Sequence, residues 1–164
     1  MTAQPNPTVT ELRELATPEE LDALLSGSLV ASFDPDTDKH PLVFLRYGRS
    51  WTDMVEAWRG SMNLDSDMLL RPGRKVLLLW GAVTGGGRRV WTGSDLDALP
   101  YGSLVRSVHP KANPHWPDLL RRVHGGFLGM NPDQDDSLIP TGTAVHYYGA
   151  LTVIWDPAAA GDAS

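Results

Sequence analysis

The chain has no cysteine. Disulfides, thiolate nucleophiles and cysteine-based zinc sites are therefore excluded together, and a reducing compartment is the natural setting. Long apolar runs are also missing. Val76–Trp80, with Gly81–Val83 behind it, is the longest, and it falls far short of the ~20 residues that cross a bilayer. No membrane association is expected. The opening MTAQPNPTVTELRELATPEE has neither a basic start nor an apolar stretch, so no secretory signal is read and a cytoplasmic location is expected. Lysine is scarce, three residues against eleven arginines, and the basic residues are scattered. Without a basic block in a net-acidic chain, nucleic acid is an unlikely partner.

What is present suits one soluble domain. The 164 residues are 41% hydrophobic and 21% charged, enough for a single core. A flexible N-terminus is expected over 1–10, one globular domain over 11–157, and a flexible tail over 158–164. No linker and no internal repeat is apparent. The net charge of −6 is unevenly spread: −7 over residues 1–38, +6 over 39–125 and −5 over 126–164. A basic middle between acidic ends can form a charged functional face, or the ends can pack near the middle and neutralise it.

Local patterns predict an α+β domain, a mostly antiparallel sheet with about three helices packed on it. Thr17, Pro18 and Glu20 have the spacing of a capping box, which predicts a helix over Thr17–Ser26 stopped by Gly27. SLVASF and PLVFLRYG read as a hairpin around DPDTDKH. Trp51, Met54, Val55 and Trp58 recur at helical spacing and predict a second helix from Ser50. KVLLLWGAV reads as a central strand buried on both faces. Ser94–Leu99 reads as a short capped turn, Ser103–Val108 as a strand and Leu119–His124 as a helix ended by Gly125–Gly126. TAVHYYG and ALTVIWD read as strands. TPEELDALLSGSLVASF resembles the helix-then-strand opening of many small bacterial proteins, some toxin-immunity proteins among them. That likeness carries over no functional residue.

Four stretches could carry chemistry. HPKANPHWPDLLRRVHGG offers His109, His115, Asp118 and His124 as an acid–base or metal set, with Trp116 beside them. Imidazole and carboxylate are suitable ligands for zinc or iron. His115 and His124, however, would sit on opposite faces of a helix, and no metal site is expected. The same residues serve as helix-end chemistry. TGGGRR places Arg88 and Arg89 behind consecutive glycines. Such a loop can form an anion nest, and it also reads as a plain exposed hairpin tip. The acids Asp34, Asp36 and Asp38, and likewise Asp133, Asp135 and Asp136, lack the glycine and glutamate of a calcium loop and suit turns. They are the expected contacts for a basic partner. No nucleophile motif and no cofactor signature is present.

The expected function is therefore that of a small binding protein acting through a protein–protein interaction, as an inhibitor, immunity-type or accessory protein. The alternative is an enzyme or small-molecule-binding domain with a pocket lined by Trp, His and Arg.

Overall fold

The apolar runs LVASF and LVFLRY, buried on both faces, build a sheet before any helix of length appears. The computed structural model describes residues 12–54, 63–81, 87–107, 118–129, 138–148 and 151–157. The expected flexible segments, 1–10 and 158–164, lie outside these. The elements in order are α1 (Pro18–Asp22), β1 (Leu29–Phe33), β2 (Leu42–Tyr47), β3 (Ser50–Asp53), β4 (Asn63–Leu64), α2 (Ser66–Leu69), β5 (Lys75–Trp80), β6 (Arg88–Val90), α3 (Gly93–Asp97), β7 (Leu104–Ser107), β8 (Leu119–Val123), β9 (Gly126–Gly129), α4 (Thr141–Tyr148) and β10 (Leu151–Trp155). This is an α+β domain with antiparallel pairing throughout the strands described.

There are two sheets, ordered β4-β3-β2-β1-β5 and β6-β10-β7-β8-β9. Their inner faces share one core, in which Leu29, Ala31, Val43, Leu45, Leu77 and Leu79 of the first sheet meet Leu104, Leu119, Ile154 and Trp155 of the second. On the first sheet's outer face, Val30, Phe44, Trp51 and Val76 pack with Leu21 of α1 and Leu69 of α2. On the second sheet's outer face, Val105, Leu120, Phe127 and Val153 pack with Leu96 of α3 and with Ala144 and Tyr148 of α4. Helices thus cover both outer faces, giving four layers.

The two halves are copies of one motif, so the expectation of no internal repeat is overturned. Thr17 caps α1 and Thr92 caps α3, each accepting a backbone N–H three residues on. Gly27 (φ 95°) and Gly102 (φ 91°) then turn the chain into β1 and β7. β2–β3 corresponds to β8–β9: Trp51 pairs with Arg46 and Leu64, and Phe127 pairs with Arg122 and Ile139. Leu77 of β5 pairs with Ala31 and bridges Glu14, as Thr152 of β10 pairs with Arg106 and Arg89. The offset is 75 residues, or 76 along β8 and β9. Between Thr17–Ser32 and Thr92–Ser107, the residues Thr, Leu, Asp, Ala, Leu, Gly, Ser, Leu, Val and Ser recur in place.

Several expectations are met. The capping box at Thr17 and Glu20 is present, and SLVASF pairs with PLVFLRYG as a hairpin. Others are corrected. Ser50–Asp53 is a strand, because Gly48 (φ 62°) turns the chain tightly back onto β2; residues 55–62 of the expected helix lie outside the description. Leu119–Val123 is also a strand. Gly125 (φ 85°) closes a hairpin to β9 where a helix stop was expected. TAVHYY belongs to a helix, α4, because Ala144 and Tyr148, four apart, bury together against the second sheet; Gly149 lies outside the description. β5 closes one end of its sheet, and residues 13–15 pair along its other edge through Leu15 N to Val76 O and Leu78 N to Arg13 O. β5 and β6 lie in different sheets and form no hairpin. A Cβ on Gly87 would collide with the Val153 carbonyl oxygen, so this end of TGGGRR is packed; residues 82–86 lie outside the description.

Candidate functional site

The turn from α1 into β1 fixes an arginine. Gly27 N donates to Arg46 O (2.8 Å), and Arg46 N donates to Ser28 O (2.9 Å). The strand register sets Arg46 opposite Trp51 on the outer face of the first sheet, with its guanidinium 5.4 Å from the indole centroid. Trp51 Nε1 donates to Ser66 Oγ (3.1 Å), and Ser66 Oγ donates to Asp22 Oδ1 (2.6 Å). That carboxylate oxygen lies 3.7 Å from Arg46 Nη1, and the Arg46 side chain is only 6% exposed. Its Nε and Nη1 are buried without a hydrogen-bond acceptor. A cleft of about 540 Å³ opens here, lined by Asp22, Arg46, Arg49, Asp65, Ser66 and Asp67.

Arg122 occupies the equivalent place in the second repeat. Gly102 N donates to Arg122 O and Arg122 N to Ser103 O, both at 2.8 Å. Its guanidinium lies 5.6 Å from the Phe127 ring, the counterpart of Trp51, and also stacks against Tyr101 at 5.5 Å. Here the Nη groups are engaged. Nη1 donates to Val123 O and Gly126 O, both at 3.0 Å, and Nη2 approaches Asp97 O and Oδ1 at 3.5 and 3.9 Å. Nε of Arg122 has no acceptor. The positions matching Asp65, Ser66 and Asp67 hold Pro140, Thr141 and Gly142, and the position matching Arg49 holds Gly125. The second repeat therefore has the buried arginine and an aspartate, Asp97, matching Asp22, without the rest of the charged rim.

The difference has chemical meaning. A buried guanidinium is costly unless its donors are met. In the second repeat, backbone carbonyls meet the Nη groups, Nε alone staying unmet, and the arginine staples a hairpin. In the first, Nε and Nη1 stay unmet, and the arginine lines a cleft whose wall offers another guanidinium and three carboxylates. A ligand placed there would meet the Arg46 guanidinium beside that of Arg49.

The residues singled out in the sequence do not gather around this cleft. Asp34 accepts from Asp36 N (2.9 Å), a bond that holds its carboxyl below the usual range. Asp38 accepts from Asp34 N (3.0 Å) and from Arg74 Nη2 (2.6 Å). Two of the three acids thus shape their own turn, and Asp36 is exposed. Asp118 is half-buried just before β8, and burial pushes its carboxyl up. Arg88 is half-buried on β6. Arg89 is exposed there, 5.8 Å from the Trp91 ring. His109, His115, Trp116, Asp133, Asp135 and Asp136 lie outside the described residues. Among the described residues, no group of three His, Asp or Glu side chains is placed to hold a metal ion, and no helix is long and apolar enough to cross a membrane. Sequence reading missed Asp22, Arg46, Arg49, Asp65, Ser66 and Asp67. Its available signal was the repeat, which sets Arg46 against Arg122 and Asp22 against Asp97 and leaves Arg49, Asp65 and Asp67 unmatched.

Compared with protein-family models, with curated proteins and with solved structures, the chain has no match in any of the three.

Proposed function

We propose that this protein binds a small ligand bearing both charge signs, a free amino acid or a short peptide, in the Arg46 cleft. The observation that carries the reading is the contrast between Arg46 and Arg122. Nη1 of the buried arginine is met by two carbonyls in one repeat and has no acceptor in the other, where the arginine also lines a cleft. The rim argues for the ligand class. A purely anionic ligand would meet Asp22, Asp65 and Asp67, and a purely cationic one would meet Arg46 and Arg49. A ligand with a carboxylate and an ammonium satisfies both, with the carboxylate on the arginines. A volume of about 540 Å³ is within the range of small-molecule sites. Thermal-shift measurements over the twenty free amino acids and a set of dipeptides test the reading. At least one compound should raise the melting temperature of the native protein, and Arg49→Glu and Asp67→Asn should each abolish that rise.

A second reading, that of a protein partner, is favoured by three exposed aromatics of the second repeat: Trp91 (62% exposed), Tyr101 (59%) and Tyr147 (74%). Large rings in solvent are enriched where proteins dock. A pull-down from the native host at low and moderate salt, repeated with Trp91→Ser and Tyr147→Ser, separates this reading from the first. Retention that depends on those rings and not on Arg49 favours a docking role.

A further inference from the structure

We propose a second binding site, for an oxyanion, on the inner face of the second sheet, built by Arg89, Thr152 and Arg106. The register places these residues in one cross-strand row, Arg89 on β6 opposite Thr152 on β10, and Thr152 opposite Arg106 on β7. Directly opposed residues point to the same face with Cβ atoms about 5 Å apart. That face is the one between the sheets, because Arg106 stacks 4.2 Å from the Trp80 ring of β5. Arg106 is 8% exposed and Thr152 is 2% exposed. Arg106 Nη1 donates to Ser107 O (3.1 Å), whereas Arg106 Nε and Thr152 Oγ1 are buried with no partner.

The first repeat shows what this face requires of a structural core. The matching row there is Glu14, Leu77 and Ala31, and Leu77 and Ala31 belong to the inter-sheet core. Packing alone is thus satisfied by apolar residues at these positions. The second copy instead holds a guanidinium and a hydroxyl, with a further arginine at the open edge where the first copy has an acid. Burial alone depresses the proton affinity of Arg106, with no carboxylate contributing. Two arginines flanking a hydroxyl present N–H and O–H donors to one oxyanion.

Phosphate and carboxylate share this chemistry, so the test has two arms. The full chain is titrated calorimetrically with inorganic phosphate and, separately, with acetate, at constant ionic strength. Saturable binding of either anion is expected, and the arm that binds names the source. Arg89→Glu, which restores the acid of the first repeat, should weaken it at least about tenfold. Thr152→Val should weaken it by about two- to tenfold. The variants lie at different points of the row and each is checked by circular dichroism, so one suffices should the other fail to fold. Arg49→Glu, at the other cleft, should leave the affinity unchanged. Failure of both anions to bind, or binding that survives Arg89→Glu and Thr152→Val, or binding lost only in Arg49→Glu, overturns the proposal.

Discussion

Arg122 Nη1 lies 3.0 Å from two backbone carbonyl oxygens, those of Val123 and Gly126, whereas the matching Nη1 of Arg46 has no acceptor and stands 3.7 Å from an Asp22 oxygen that Ser66 already occupies. The two arginines hold equivalent places in the repeats, so replacing each by methionine should have unequal effects. Arg122→Met leaves buried carbonyls without their donor and should lower stability by about 2–4 kcal/mol. Arg46→Met removes donors that were unmet and should change stability by no more than about 1 kcal/mol. Urea unfolding of both variants checks the difference. Equal losses would mean that Arg46 is as structural as Arg122.

The helix caps are the second shared feature. Thr17 and Thr92 each accept from the third residue of a short helix. Thr17→Ala and Thr92→Ala should each cost about 1 kcal/mol. Because the helices lie on opposite outer faces, the double variant should lose the sum to within about 0.5 kcal/mol. Strong coupling would contradict the layer arrangement.

Gly87 and Gly73 both have positive φ, 73° and 81°. A Cβ at Gly73 meets nothing, while one at Gly87 runs into the Val153 carbonyl. Gly73→Ala should cost about 1 kcal/mol from backbone strain alone. Gly87→Ala should cost more than about 2 kcal/mol, since β6 must move away from β10. Thermal denaturation of the pair is the check. If both behave alike, the packing of β6 on β10 is wrong.

His40 gives the pH dependence. Burial first, then the charges of Arg121 and Lys39, hold its imidazole below the usual value of 6.5. The folded chain then takes up this proton less readily than the unfolded chain. Its contribution to stability is complete above about pH 6.5 and is lost as the pH falls below that value. Subtracting the His40→Gln profile from the wild-type profile, between about pH 5 and 8, should leave a curve that rises with pH and then flattens. A flat or falling difference would show that His40 is not held in this way.

Where a local signal agreed with the tertiary one, the sequence was readable. Thr17 and Glu20 close a capping box in any context, and the apolar runs Leu29–Phe33 and Leu42–Tyr47 flank a turn-rich DPDTDKH, which marks a hairpin. Errors arose where two patterns overlap. Leu119, Leu120 and Val123 fit a helix stripe, yet Arg122 buries its stem on a strand and Gly125 supplies a tight turn. TAVHYY has strand composition, and only burial of Ala144 and Tyr148 on the second sheet selects a helix. The cleft was hidden for a different reason. Asp22, Arg46 and Ser66 are 44 residues apart at most, joined only by the fold. The repeat itself was legible in LDALLSGSLVAS and LDALPYGSLVRS, and aligning the two copies marks Arg46 and the unmatched acids from the sequence alone.

The central claim is that the first repeat turned a structural arginine into a ligand-binding one. The most direct measurement is the thermal shift of the native chain and of Arg46→Met against the same amino-acid and dipeptide panel. The account predicts that a compound carrying both charges raises the melting temperature of the native protein in a saturable way, and that Arg46→Met, folded and about as stable, shows no rise. A rise of equal size in Arg46→Met, or no rise from any compound, would contradict it.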